Sequence, residues 1–235
     1  MQVISFFTAK GGTGKTTFNM LLASYLKYKL GKRVAMMDFD GPEYNLTFCR
    51  SRELEQLSKG DVPVDEKAFY PIIPVRDHSK EYLQALAKMV PQLAKSYDYL
   101  IMDFKGSLQM KDPVSVLAQA GVLDKVVIPV ELDPMIIASM KSLAQALKAN
   151  VPKTLLFFNR VHGKEKPEQY EAVRAWFEKN DCKVARSLVK MTIGLKREQS
   201  GQESFLRSTV CFQDKTIRKV NPGIIGLFDE VLEYG

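Results

Sequence analysis

Cysteine is scarce in this chain and widely spread. Cys49, Cys182 and Cys211 form no C-x-x-C pair, and only His78 and His162 could join them, so neither a zinc site nor a disulfide framework is suggested. Long apolar runs are missing as well: no window approaches the roughly 18 apolar residues of a spanning helix. The start, Met-Gln-Val-Ile-Ser-Phe-Phe, has neither the basic opening nor the apolar core of a signal peptide. Internal repeats, low-complexity tracts and linkers are also lacking. These absences set aside disulfide-stapled, membrane-spanning and repeat architectures. A soluble protein in a reducing cytosol is the expectation.

Positive charge is in surplus, with 34 Lys plus Arg against 27 Asp plus Glu and a formal net charge of +7. That sign favours polyanions, either nucleic acid or an anionic membrane surface, although a basic soluble enzyme shows the same balance. At 235 residues the chain is long enough for one sizeable core, and residues 1–235 are expected to form one domain.

Short apolar runs alternate with amphipathic stretches. VISFF (3–7), RVAMMDF (33–39), YLIMDF (99–104), KVVIPV (125–130) and TLLFFN (154–159) are continuous enough for strands buried on both faces. Between them, Phe18, Leu21, Leu22, Tyr25 and Leu26 follow a helical period that stops near Gly31, and similar patterns cover 80–95, 134–149 and 167–179. The order predicts an α/β fold, a doubly wound, mostly parallel sheet with ligands at the C-terminal ends of its strands. Residues 50–70 read as an irregular or helical excursion.

The first strand runs into TAKGGTGKTTF, residues 8–18, which nearly fits G-x-x-x-x-G-K-[ST]. Gly14, Lys15 and Thr16 match, but Ala9 stands where the first glycine belongs and an additional lysine, Lys10, follows it. A buried strand, then Gly11, Gly12, Thr13 and Gly14, then a helix opening near Lys15 is the arrangement that converges backbone N–H groups on a phosphate chain. Lys15 would reach the β/γ-phosphates, and Thr16 would ligate Mg²⁺. Asp38 and Asp40 close one strand, with a spacing that puts both carboxylates on one face, and Asp103 closes another. Carboxylates at strand ends serve either as helix caps or as metal and water ligands. Three on the rim that carries the loop favour the second use.

KGGTGKTT, DFD and DYLIMD together resemble the deviant Walker A ATPases of the ParA and MinD superfamily, and the similarity extends through GKRVAMMDFD, VVIPVELDP and FFNR. The N-terminal LLASYLKYKLGKRVAMMDFDGPEYNLTFCRSRE is similar in particular to the ParA-like TraA proteins of Bacteroides-type conjugative transposons. The resemblance implies a P-loop NTPase fold and ATP with Mg²⁺ as cofactors. It implies Lys10, Lys15 and Asp40 as catalytic, Asp40 orienting water, and Thr16, Asp38 and Asp103 at the metal. Gly11 through Thr17 would bind the nucleotide, and Asn159 the adenine. It further implies a homodimer that forms on ATP, with Lys10 neutralising phosphate charge in the partner's site.

The same resemblance implies an ATP-dependent switch in DNA partition or plasmid segregation, with slow hydrolysis stimulated by a centromere-binding or other partner protein. The protein would be cytoplasmic and nucleoid-associated when ATP-bound, through nonspecific double-stranded DNA contacts by Lys190, Lys196, Arg197, Arg218 and Lys219. The sequence departs from the family pattern at Gly41-Pro42-Glu43-Tyr44, inserted before Asn45, and at Phe104-Lys105-Gly106, where relatives carry a small residue and proline. The lysine there makes slow turnover the expectation. A MinD-like membrane role is disfavoured because the final amphipathic helix, from Ile224 to Leu232, presents Asp229, Glu230 and Glu233 rather than lysines. Trp176, Phe177 and Tyr170 read as core rather than as a base-stacking platform. A ligase like dethiobiotin synthetase stays open; an electron carrier like the nitrogenase iron protein would need cysteines that are not there.

Overall fold

The computed structural model describes residues 1–8, 10–59, 68–106, 112–148, 151–190 and 221–234. Among them seven parallel strands form one sheet: β1 (Gln2–Phe6), β2 (Val34–Phe39), β3 (Ile72–Pro74), β4 (Tyr99–Phe104), β5 (Lys125–Val130), β6 (Lys153–Val161) and β7 (Lys183–Lys190). Their order is β3-β2-β4-β1-β5-β6-β7. From β1 the chain moves outward to β2 and β3, returns to β4, then passes β1 to β5 on the other side. The direction of winding therefore reverses beside β1, the position at whose C-terminal rim open α/β sheets bind their ligands.

Alternation along each strand feeds two cores. Val3 and Phe7 join the core under α3 (Lys80–Met89), α4 (Pro113–Gln119), α5 (Pro134–Lys148) and α6 (Pro167–Lys179). Ile4 and Phe6 join the one under α1 (Lys15–Ser24), α2 (Asn45–Ser58) and α7 (Pro222–Glu233). Burial on both sides is why the central strands read as unbroken apolar runs. Phe177 and Tyr170 are buried in the first core, and Trp176 packs against it.

The helical period of the first helix runs as expected, though its last turn loosens into a π-turn, Tyr25–Lys29, before Gly31. The excursion near residue 50 is the helix α2, while residues 60–67 lie outside the described part. β3 and β7 were not foreseen. β3 is a three-residue edge strand ending in proline, and β7 is an edge strand whose exposed positions carry Lys183, Arg186 and Lys190. Neither has the apolar continuity that marks the inner strands.

The acidic residues of α7 tie it to the turn that ends α1 and to β7. Tyr25 donates its hydroxyl to Asp229 at 2.7 Å, and Glu230 accepts the backbone N–H groups of Arg186 at 2.6 Å and Ser187 at 2.8 Å. Those two residues fall where β7 slips register against β6. The Glu230 carboxylate thus covers part of an otherwise open strand edge.

At the opposite end of the strands, buried Lys125 donates its ammonium to the Val231 carbonyl in the last turn of α7. Burial first, then the neighbouring Lys153, lowers its pKa to about 8 from an ordinary 10.5. Between those values the unfolded chain holds a proton that the folded one has released, so stability rises with pH there. Thermal unfolding from pH 8 to 10 is expected to show that rise in the native chain and to lose it in Lys125→Met.

Candidate functional site

The loop between β1 and α1 sits at the middle of the sheet, at the reversal point. Gly14 takes φ +91° as the residue before α1, a left-handed conformation that L side chains rarely adopt, and α1 starts directly at Lys15. The loop's carbonyls are tied to its own scaffold. The Lys10 carbonyl accepts from the Thr8 hydroxyl at 2.8 Å, the Lys15 ammonium at 3.0 Å and the Thr13 hydroxyl at 3.4 Å. Asn159, at the end of β6, donates its amide to the Thr13 carbonyl at 3.0 Å. Arg160 donates to the Gly12 carbonyl and pairs with Glu131 at 3.0 Å. Acceptors turned toward the scaffold are the complement of a loop whose donors face an anion.

The two lysines are placed differently. Lys15 is 8% exposed, whereas Lys10 is exposed on the loop's lip. Burial lowers the Lys15 pKa, opposed by the charges of Asp103 and Asp40.

The carboxylates stand beside the loop. Asp38 and Asp103 are register partners on adjacent strands β2 and β4, and both are wholly buried. Asp103 accepts from Thr16 at 2.7 Å and from Asn19 at 2.6 Å. Burial nevertheless pushes its pKa up to about 7, the two hydrogen bonds opposing the shift and Asp38 and Asp40 adding to it. Asp38 accepts from the backbone and the hydroxyl of Thr47, each at 3.2 Å, so it caps the first turn of α2. Its pKa is also raised by burial. Asp40, half-exposed, accepts from Asn45 at 2.5 Å.

Buried carboxylates that resist ionisation, beside a threonine hydroxyl and a glycine loop, suit a magnesium–phosphate ligand. Among the described residues no three His, Cys, Asp or Glu side chains gather to hold a metal by themselves. Magnesium usually needs only one or two carboxylates when phosphate oxygens and water complete its shell. Thr17 follows in the first turn of α1.

The structure thus brings together the expected Gly11 through Thr17, Lys10, Asp38, Asp40, Asp103 and Asn159. Asn159, expected at the adenine, is buried beneath the loop with its amide on Thr13. Lys190 is exposed at the end of β7, on the sheet edge and away from the loop after β1, with its carbonyl bonded to Asn221 at 2.7 Å. Lys196, Arg197, Arg218 and Lys219 lie outside the described residues.

Sequence reading missed Asn19 and Arg160. Asn19 bonds Asp103 and both backbone groups of Phe6, joining α1, β1 and β4. Its signal was a lone amide on the apolar face of α1. Arg160 has φ +54°, unusual for a residue with a side chain, and that conformation belongs to the residue that reaches the loop.

No helix among the described residues is long and apolar enough to cross a membrane. Full-length likeness to the Aquifex aeolicus cell division protein MinD covers 100% of this chain and 98% of that one, with TM-score 0.69 and 19% identity. A plasmid partition protein of Borrelia burgdorferi gives TM-score 0.57 and 20% identity over 78% of this chain and 87% of its own. These show the same fold.

Among sequence relatives, an uncharacterized ATP-binding protein of Methanocaldococcus jannaschii is 30% identical over 174 residues, 68% of this chain and 65% of its own. A virulence plasmid ParA family protein of Chlamydia muridarum is 40% identical over 60 residues, 26% of this chain and 22% of its own. The chain therefore spans less than two thirds of either relative's length. Residues 4–204 match the family profile described as the CobQ/CobB/MinD/ParA nucleotide binding domain. A match of that extent, carried by a glycine loop at the centre of a parallel sheet, makes this chain a member of that nucleotide-binding family.

Proposed function

We propose that this chain is an ATP-dependent switch, one domain over residues 1–235, that pairs with a second copy around bound nucleotide and acts in partitioning a plasmid or conjugative element by nonspecific DNA binding. The observation that carries the reading is the split between the two lysines of one loop. Lys15 is buried at the heart of the loop, while Lys10 is exposed and makes no ion pair among the described residues. A cation kept on the lip, unused by its own loop, is available to a neighbouring molecule's phosphates.

Gly11 through Thr17 would hold the triphosphate, and Thr16 with Asp103 would hold magnesium, Asp38 bracing them through β2. When bound, the nucleotide and its metal supply the transferable phosphoryl group and screen its charge. Lys15 would neutralise the phosphate chain in its own protomer and Lys10 in the other, placing positive charge where phosphoryl oxygens develop negative charge. Asp40 would orient a water. Hydrolysis would be slow alone and quickened by a partner protein.

The surplus of cations supports a polyanionic partner, and binding of that origin fades steeply with salt. Retention on duplex DNA should be measured for the native chain and Lys10→Ala with ATP, ADP and no nucleotide, over a salt series. The native chain is expected to be held only with ATP and released as salt rises, and Lys10→Ala to be held in none of the three conditions. Retention that ignores nucleotide would remove the switch from this account.

A further inference from the structure

Successive side chains of a strand point to opposite faces, so a regular β6 could send only one of two neighbouring residues toward the loop after β1. Yet Asn159 and Arg160 both reach it. Asn159 donates its amide to the Thr13 carbonyl at 3.0 Å, and Arg160 donates its guanidinium to the Gly12 carbonyl. Two irregularities break the alternation: Arg160 takes φ +54°, in the left-handed region, and β6 slips register against β7 between Asn159 and Val161. Slips of this kind re-aim a side chain. A residue held at positive φ despite its side chain is a strain that its surroundings must over-determine.

The two carbonyls belong to consecutive peptide units. A trans peptide is planar, with its C=O and N–H pointing opposite ways, so a carbonyl drawn toward β6 turns the next residue's N–H away from it. Arg160 thereby sets the N–H of Thr13, and Asn159 that of Gly14. Successive N–H groups turned outward in this manner form an anion-binding concavity. The guanidinium is itself held, because its other terminal nitrogen lies 3.0 Å from Glu131, the residue after β5. A planar fork can serve both partners at once; lysine, a point charge on a flexible stem, has no such fork.

We propose that Arg160 is a positioning residue of the phosphate loop: clamped by Glu131, it works with Asn159 to fix the Gly12–Thr13 and Thr13–Gly14 peptide planes, so that their N–H groups meet phosphate oxygens. The inference rests on the nucleotide-binding reading above. Because Arg160 acts through the loop's backbone, its effect belongs to the phosphate chain and is indifferent to the base. The left-handed turn at the end of β6 is the strain kept for that reach.

The test measures affinities for a non-hydrolysable ATP analogue and for inorganic tripolyphosphate, both with magnesium, in the native chain, Arg160→Asn, Glu131→Gln and the double variant. Displacement of a fluorescent nucleotide reads the affinities, and thermal unfolding is followed on the same samples. Asparagine accepts a left-handed backbone but is too short to keep both partners. Arg160→Asn is expected to weaken both ligands alike, each about tenfold, while melting within a few degrees of the native chain, the relieved backbone offsetting the lost bonds. Glu131→Gln should weaken both ligands about two- to threefold at a native melting temperature and add nothing further in the double variant; it carries the test alone if Arg160→Asn does not fold. Native affinity in Arg160→Asn, a loss confined to the nucleotide, or a Glu131→Gln loss that persists without Arg160 would each overturn the positioning role. A native chain that binds neither ligand would overturn the nucleotide reading itself.

Discussion

Replacing Lys15 by Met is expected to weaken nucleoside triphosphate binding about 100-fold, on the estimate that an ammonium contacting phosphate oxygens contributes roughly 1.5–3 kcal/mol per charge-assisted bond. The ligand-free fold should hardly notice. Lys15 is largely desolvated, which lowers its pKa, and among the described residues its ammonium hydrogen-bonds only the carbonyl of Lys10, at 3.0 Å. Methionine keeps most of the apolar stem and removes the charge that burial penalises. Melting temperature should therefore stay within a few degrees of the native value while affinity collapses. Calorimetric titration with a non-hydrolysable analogue, paired with a melt of the same sample, reads both quantities. Unchanged affinity would mean that the buried lysine does not serve the phosphates. Lys10→Ala is expected to differ in kind: it should leave single-site affinity close to native and remove pairing between copies, because that lysine stands outside its own loop.

The inner sheet and the loop were legible in the sequence because both follow local rules. Strands buried on two faces must be apolar throughout, and a loop approaching an anion needs glycine where φ is positive, as at Gly14. What escaped was decided between distant segments. β3 and β7 form because an edge is there to be extended, and β7, with Lys183, Arg186 and Lys190 on exposed positions, has no run of apolar residues to announce it. Asn19 spans α1, β1 and β4, a role that appears only once Phe6 and Asp103 are neighbours. Asp38 was open between helix cap and metal support; the structure has it capping α2 through Thr47 while it stands beside Asp103 on the next strand. Asn159, read from the sequence as an adenine contact, donates its amide to the loop's backbone at Thr13.

Gly223→Ala is the substitution expected to cost the most stability. In the first turn of α7, a methyl group on residue 223 would stand 2.1 Å from the carbonyl oxygen of Leu188 in β7. The oxygen is backbone and the position of a Cβ is fixed by its own backbone, so no rotamer change relieves the overlap; helix and edge strand must part. Parting them would pull Glu230 from the N–H groups of Arg186 and Ser187 and loosen Phe228 and Val231 in the core beneath. Overpacking of this sort costs on the order of 3 kcal/mol, against at most about 1 kcal/mol gained from alanine's better helix propensity. A net loss of about 2 kcal/mol lowers the melting temperature of a chain this long by roughly 4–8 °C. Gly163→Ala is the control, since a methyl group there meets nothing within 4 Å, and it should melt with the native chain. If the two variants melt together, α7 does not depend on this close approach, and the acidic contacts of Asp229 and Glu230 hold the helix on their own.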